Sequence, residues 1–557
     1  MNSTPSHAVP RYRAAIAASY RLPETRLLPK LIQHAHLDAG SWPDIQTQAQ
    51  QLIEAVRAGQ TQEDSLPWVP ELLQAYPLGS NEGRALMALA ECALRIPDRH
   101  TLNKLLQDKL TQRQWRNPRT ANASWPVKAS AWALQLCQHL VSEPRQGLQR
   151  ALSHLAAPMM MRGTLFAMRM LGNQFVYSNR IQQALTRAAK TQTCCSFDML
   201  GEAARTQADA RRYFDAYRDA ILAVGKHQQP NRSDPQTISI KLSALHPRYE
   251  ALQAKRAIPA LVTSLTALAE IAQQHQVGIT IDAEECDRLE MSLDIIEQLL
   301  NAPSLRNWQG LSVAVQAYQK RALAVIQWLN ALASSQQRTL GVRLVKGAYW
   351  DMEIKRCQER GLTDFPVFTH KAATDISYLA CARELLASEH LAPAFATHNA
   401  LTIATLLHWL KPYRAAGKPA EFQRLHGMAG GLYRMMTRDH GIPCRVYSPV
   451  GLHHELLPYL IRRMLENSSN SGFVQQLSNP NVALHTLLDN PIDQLQRTGM
   501  ATHHAIMSPS QLFKPRSNSI GLDLSDRHTL NELQRQFAAD RPTRASTADA
   551  AAPRELS

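Results

Sequence analysis

The sequence predicts an α/β protein: a (β/α)8 barrel of the TIM type preceded by an all-helical region. Three observations predict it. Between residues 194 and 451, eight short apolar, β-branched segments recur: CCSFDML, TISIKL, GITIDA, LSVAVQAY, GVRLVKGAY, AFATHN, FQRLHGM and CRVYSPVG. Several are nearly continuous apolar runs, as in parallel strands buried on both faces, and each interval leaves room for a crossover helix. The segments also end in reactive residues, and a barrel gathers its site at the carboxyl ends of its strands.

Residues 1–190 read as a helical arm and linker domain. The stretches WPDIQTQAQQLIEAVRA, NEGRALMALAECALRI and VKASAWALQLCQHLVS carry apolar residues at three- and four-residue steps. Breakers such as RIPDRH and QWRNPRTANASWP separate them. No catalytic pattern stands out there, and the region reads as a scaffold or dimerisation arm. Residues 191–480 carry the barrel. Residues 481–557 read as a loop-rich extension ending in a tail, ADRPTRASTADAAAPRELS, too poor in apolar residues to order itself.

Composition narrows the function. Hydrophobic residues make up 45% and charged residues 19%, the balance of a soluble globular chain. No stretch approaches the ~18 uninterrupted apolar residues of a membrane span, and the N-terminus lacks the apolar run of a signal peptide. Its eight cysteines form no CxxC pair, which points to reduced thiols in a cytosol. The formal charge of +15 permits contact with nucleic acid or an anionic membrane surface, or serves solubility alone. No dense Lys/Arg run concentrates that charge.

The strand ends define the candidate site. Lys241 ends the second strand, Asp282 the third, Gln316 and Tyr318 the fourth, Lys346 and Tyr349 the fifth. Thr397, His398 and Asn399 end the sixth, Leu425 and His426 the seventh, and Tyr447 the eighth. Beyond the barrel, PYLIRRMLENSSN reads as a helix whose buried face is Leu457, Leu460, Ile461 and Met464. Arg462 and Arg463 flank that face, with Glu466 within reach of both. Such a pair is either a solvated salt-bridge face or a clamp for a carboxylate or phosphate. His453, His454 and Glu455 make no metal site, because adjacent helical histidines point about 100 degrees apart. Met428, Met435 and Met436 read as packing.

These segments resemble the proline dehydrogenase domain of the bifunctional bacterial proline utilization A family. The resemblance is carried by SFDMLGEAARTQADA, ISIKLSALHPRYE, TIDAEECDRLE, VAVQAYQKRA, RLVKGAYWDMEIKRCQ, FATHNA, FQRLHGM, CRVYSPVG and YLIRRMLENSSNS, in one order over about half the chain. The leading IAASYRLPETRLLPKLIQHA is similar to that family's arm. The resemblance implies a distorted barrel, noncovalent FAD, oxidation of L-proline to Δ1-pyrroline-5-carboxylate, and electron transfer to a membrane quinone. A cytoplasmic protein held peripherally at the inner face of the membrane would follow. The chain has no G-x-G-x-x-G stretch, so a Rossmann flavin site is not indicated.

The resemblance also assigns roles. Arg462 and Arg463 would grip the proline carboxylate, with Lys241 adding positive charge. Glu202, paired with Arg462 as a gate, and Glu466 would offset that charge. Tyr349, Leu425 and Tyr447 would wall the ring, Tyr447 also filtering for size. Asp282 would lie next to the flavin. The FAD contacts would be Gln316, Arg343, Val345, Lys346, Gly347, Ala348, Trp350, Thr369, His370, Lys371, Thr397 and His398. No metal is expected.

Two departures set further expectations. The last cysteine, Cys444, lies inside the barrel, so no downstream thiol serves a second, aldehyde-oxidising activity, and a separate aldehyde dehydrogenase is a candidate partner. The chain begins at the arm, so no DNA contact is expected. A homo-oligomer stays open. The alternative reading is a basic nucleic-acid-binding or regulatory protein on a catalytically dead barrel.

Overall fold

The computed structural model describes residues 5–38, 40–58, 98, 101, 104, 176–228, 235–451, 459, 462, 482–513 and 515–539. Eight parallel strands close into one barrel in sequence order. They are β1 (Cys194–Met199), β2 (Thr237–Ile240), β3 (Gly278–Ile281), β4 (Leu311–Gln316), β5 (Leu340–Val345), β6 (Leu391–Ala396), β7 (Glu421–Leu425) and β8 (Cys444–Val450). β1 closes the ring against β8, in a register running from Cys194 opposite Arg445 to Met199 opposite Val450. The predicted fold class is the observed one, and each predicted segment overlaps its strand, although β5, β6 and β7 begin earlier, at Leu340, Leu391 and Glu421. The segment GVRLVKGAY stops pairing at Val345, where positive φ at Gly347 turns the chain off the barrel.

Side chains alternate across each strand. Cys195 and Phe197 of β1 face the surrounding helices and join the main apolar core. Ser196 and Asp198 face the lumen, and both are fully buried. The lumen is therefore polar, where most barrels stack branched aliphatic residues. Small residues make the room: on β5, a Cβ at Gly341 would lie 2.1 Å from Ser312 Oγ.

The helix Ile181–Lys190 leads directly into β1, and three helices stand ahead of it among the described residues: α1 (Pro5–Ala18), α2 (Glu24–Ala35) and α3 (Trp42–Arg57). Each buries one stripe at helical spacing, such as Leu28, Leu31 and Ala35 on α2. They pack on the barrel helices Ala322–Ser335, Lys371–Ala387 and Ala400–Ala415 respectively. The sequences of the last two anticipate this cover. Ala372 to Ala382 are buried without a break, and a helix buried on every side needs neighbours on every side. The short helix Pro491–Arg497 covers the rest of Lys371–Ala387.

Of the predicted arm helices, WPDIQTQAQQLIEAVRA forms α3, while the stretches at 81–96 and 127–142 lie outside the described residues. So does the predicted tail from 540. Before it, residues 482–539 hold two short helices, one 3-10 turn and a helix at Arg527–Ala539.

Candidate active site

A polar column rises through the lumen. At its base Arg445 pairs with Glu421, Nε to Oε1 at 2.9 Å, and Gln423 donates to the same carboxylate at 2.6 Å. In the middle lies the Arg343 guanidinium. Its Nε donates to Gln423 at 2.6 Å, its Nη2 to Ser196 and Ser239 at 2.9 and 3.0 Å, and its Nη1 to Asp282 at 2.7 Å. One side chain from β5 is thus fixed by groups of β1, β2, β7 and the end of β3.

Above it Tyr447 donates to Asp282 Oδ2 at 2.7 Å and accepts from Lys241 Nζ at 3.2 Å. Lys241 donates to Asp198 and stands 3.5 Å from Asp282. Burial alone would depress the Lys241 ammonium. Asp198, Tyr447 and Asp282 outweigh it, and the group is held well above the ordinary lysine value. Burial likewise pushes the Tyr447 phenol well above its usual range, with Asp198 and Asp282 adding to the rise. At neutral pH this corner presents an ammonium and a neutral phenol to whatever enters the mouth.

Over the mouth, Arg462 makes a fork with Glu202, Nη1 to Oε1 at 2.5 Å and Nη2 to Oε2 at 2.7 Å. Its guanidinium sits 5.0 Å above the Tyr349 ring. Burial opposes ionisation of Glu202, but Arg462 overrides it and draws the carboxyl below its usual range. Arg463 and Glu466, the other members of the predicted clamp, lie outside the described residues, as do His453, His454 and Glu455.

The other predicted cofactor residues stand at or after the ends of β4, β5 and β6. Val345 to Ala348 are partly exposed as the chain leaves β5. Gly347 has φ +138, and a Cβ there would lie 2.4 Å from the Tyr318 ring. Lys346 and Lys371 share Asp375, the second at 3.5 Å. Trp350 Nε1 donates to Phe368 O at 2.8 Å, and His370 Nε2 meets Ala501 O at 3.0 Å. Thr397 is buried under Tyr433, His398 Nε2 accepts from the Leu425 N–H at 3.4 Å, and Gln316 accepts from Gln319 at 2.8 Å. Thr369 is held by Glu24 of the arm.

Sequence reasoning passed over Ser196, Asp198, Ser239 and Gln423. A signal existed. In a strand buried on both faces, a serine and an acid two residues apart mark one polar side of the ribbon.

A family model described as proline dehydrogenase matches residues 181–476. A model described as the proline utilization A proline dehydrogenase N-terminal domain matches 11–57, and one described as the DNA-binding domain of proline dehydrogenase matches 68–175. That last match stands against the expectation of no DNA contact, and its residues lie outside the described chain except Asp98, Thr101 and Lys104. The bifunctional protein PutA of Klebsiella aerogenes is 42% identical over 548 residues, covering 94% of this chain and 41% of that protein. Proline dehydrogenase 1 of Bacillus subtilis is 27% identical over 312 residues, covering 56% of this chain and 91% of that protein. A crystal structure of a Bradyrhizobium japonicum proline utilization A variant superposes with a TM-score of 0.73 at 45% identity, covering 93% of this chain and 53% of that one. The chain thus spans 41% of the length of the first of these relatives. With more than half of its residues under one family model, the chain belongs to the proline dehydrogenase family.

Proposed function

We propose that this chain oxidises L-proline to Δ1-pyrroline-5-carboxylate, using FAD and passing the electrons to a membrane quinone. The observation that carries the reading is the Arg462–Glu202 fork over Tyr349, above a lumen that presents Lys241, Asp282 and Tyr447. A small zwitterion with one carboxylate matches a site rich in cations, and Arg463, in the next position, would complete the clamp.

The donor set fits a dinucleotide. The helix Lys371–Ala387 starts with no capping side chain and no acid in its first turn, which leaves its first N–H groups for a phosphate. Lys346 and Lys371 set two ammoniums against one carboxylate. The strip Val345–Ala348 and Trp350, Thr369, His370, Gln316, Thr397 and His398 would complete the holding set. Bound FAD would accept the hydride that leaves proline C5.

The protein's own groups do the rest. Lys241 and Arg462 attract the carboxylate and disfavour an ammonium beside them, so proline is held as the free amine. The nitrogen lone pair then forms the C=N bond as the C5–H bond breaks. Tyr349, Leu425 and Tyr447 flank the ring and exclude water. Asp282 holds Tyr447 and Arg343 in place. The formal charge of +15 supports peripheral contact with an anionic membrane, where the quinone would lie. No helix among the described residues is long and apolar enough to cross a membrane.

An anaerobic titration tests this. Protein loaded with FAD should lose its yellow absorption on addition of L-proline, and Arg463→Ala should weaken proline while keeping the flavin. A folded protein that takes up no FAD overturns the reading. The match over residues 68–175 favours a second reading, DNA contact by that segment. Affinity for duplex DNA that falls steeply with salt would support it.

A further inference from the structure

We infer that Glu24, on the N-terminal arm, is a positioning residue that sets the affinity for FAD; the inference rests on the function proposed above. Glu24 opens α2 and is 2% exposed. Its Oε1 accepts two hydrogen bonds at 2.8 Å, one from the Thr369 backbone N–H and one from the Thr369 hydroxyl. A buried carboxylate is costly, and nothing in the packing of α2 requires one. An alanine there would fit the apolar stripe. What the carboxylate does is fix a turn 345 residues further along the chain.

The residues beside Thr369 have supports of their own, Trp350 Nε1 on Phe368 O at 2.8 Å and Ala501 O on His370 at 3.0 Å. The Thr369 oxygen accepts from the His503 backbone N–H at 2.9 Å, and Phe368 N donates to Tyr318 O at 2.9 Å. Thr369 is followed by His370 and Lys371, where the helix Lys371–Ala387 begins. Moving the turn by a few tenths of an ångström re-aims the first N–H groups of that helix. The second Glu24 oxygen has no hydrogen-bond partner among the described residues; burial pushes the carboxyl up, and the Thr369 hydrogen bond and the charge of Lys320 oppose that rise. Lys320 is itself buried, with Asp364 at 3.4 Å. Charge and hydrogen bonds together pin the carboxylate in one place, so the arm adds a fixed point at Thr369 to a turn that the barrel holds at Phe368.

The test measures FAD affinity by flavin fluorescence, the melting temperature of the FAD-free protein, and steady-state proline oxidation at saturating FAD. Glu24→Ala should raise the Kd for FAD about tenfold while KM for proline and kcat stay within about twofold. Glu24→Gln keeps the accepting oxygen and should stay within about threefold of wild type in Kd. A purely structural role would lower the melting temperature and leave the affinity of the folded fraction unmoved. The inference is overturned if Glu24→Ala binds FAD like wild type, or if Glu24→Gln binds no better than Glu24→Ala. Should Glu24→Ala not fold, Glu24→Asp decides: a threefold or larger loss of affinity supports the assignment, and an unchanged Kd overturns it. Failure of the wild type to bind FAD would instead strike the proposed function itself.

Discussion

The Tyr447 hydroxyl joins Lys241 to Asp282, so removing it leaves each of them one hydrogen bond short without emptying the pocket. A buried group left one partner short costs about 1–3 kcal/mol. Tyr447→Phe is therefore expected to lower kcat/KM for proline about tenfold with FAD content unchanged, read by steady-state kinetics and flavin absorbance. Glu353 carries a different consequence. Burial pushes its carboxyl up to about 7, against a single hydrogen bond from the Cys286 N–H. The native state thus keeps a proton that the unfolded chain has released. Stability falls as pH rises from the ordinary glutamate value of 4.5 towards 7, and the penalty is complete above it. On the order of 3 kcal/mol is involved. Glu353→Gln, which can still accept from Cys286, should melt higher than wild type at pH 8 and close to it at pH 4, by calorimetry. Lys241, Asp282 and Tyr447 could be picked from the sequence because each stands at a strand's end. Asp198 could not be ranked with them, since its role depends on Lys241 arriving from another strand 43 residues away.

The turn after β5 shows how much a short segment can determine. Gly347 combines a φ of +138 with the Tyr318 ring 2.4 Å from where a Cβ would stand, so backbone and neighbour both exclude a side chain. Gly347→Ala should displace Lys346 and Trp350 together. The expected result is a loss of FAD of tenfold or more and a lower melting temperature, measured on the same sample. The strands were legible because each is a short apolar run followed by a polar group, and closure then follows from their number. The pairing of arm with barrel was less legible. Amphipathic stripes on α2 and α3 announce that something is covered, but any apolar surface satisfies a stripe. Only the outer barrel helices, apolar on every side, name the partner, and that pattern is visible in ALTIATLLHWL. The polar lumen was illegible for a related reason: alternation tells which residues share a face, while the hydrogen bonds of Arg343 depend on all eight strands closing.

Both ends of the described chain converge on one helix. Arg13 of α1 and Arg527 of the C-terminal helix both pair with Asp294, and each lies near Glu290, at 3.3 and 3.9 Å. Arg21 pairs with Asp523 and reaches Asp526 at 3.3 Å. Exposed pairs contribute little singly, but a shared acid couples what it holds. Asp294→Ala should speed proteolytic cleavage severalfold at the arm and at the C-terminal helix alike, with kcat unchanged, as mass spectrometry of a timed digest would show. The Arg343 guanidinium has a wider reach. Ser196, Ser239 and Asp282 come from the first four strands, while Arg343 and Gln423 come from the last four. A chain cut between β4 and β5 would leave one fragment holding an uncompensated cation and the other an uncompensated acid. Neither piece has a dry interior of its own to settle into. Unlike a barrel assembled from two self-sufficient halves by duplication, this one is indivisible, and co-expressed fragments should be recovered as a pair or not at all.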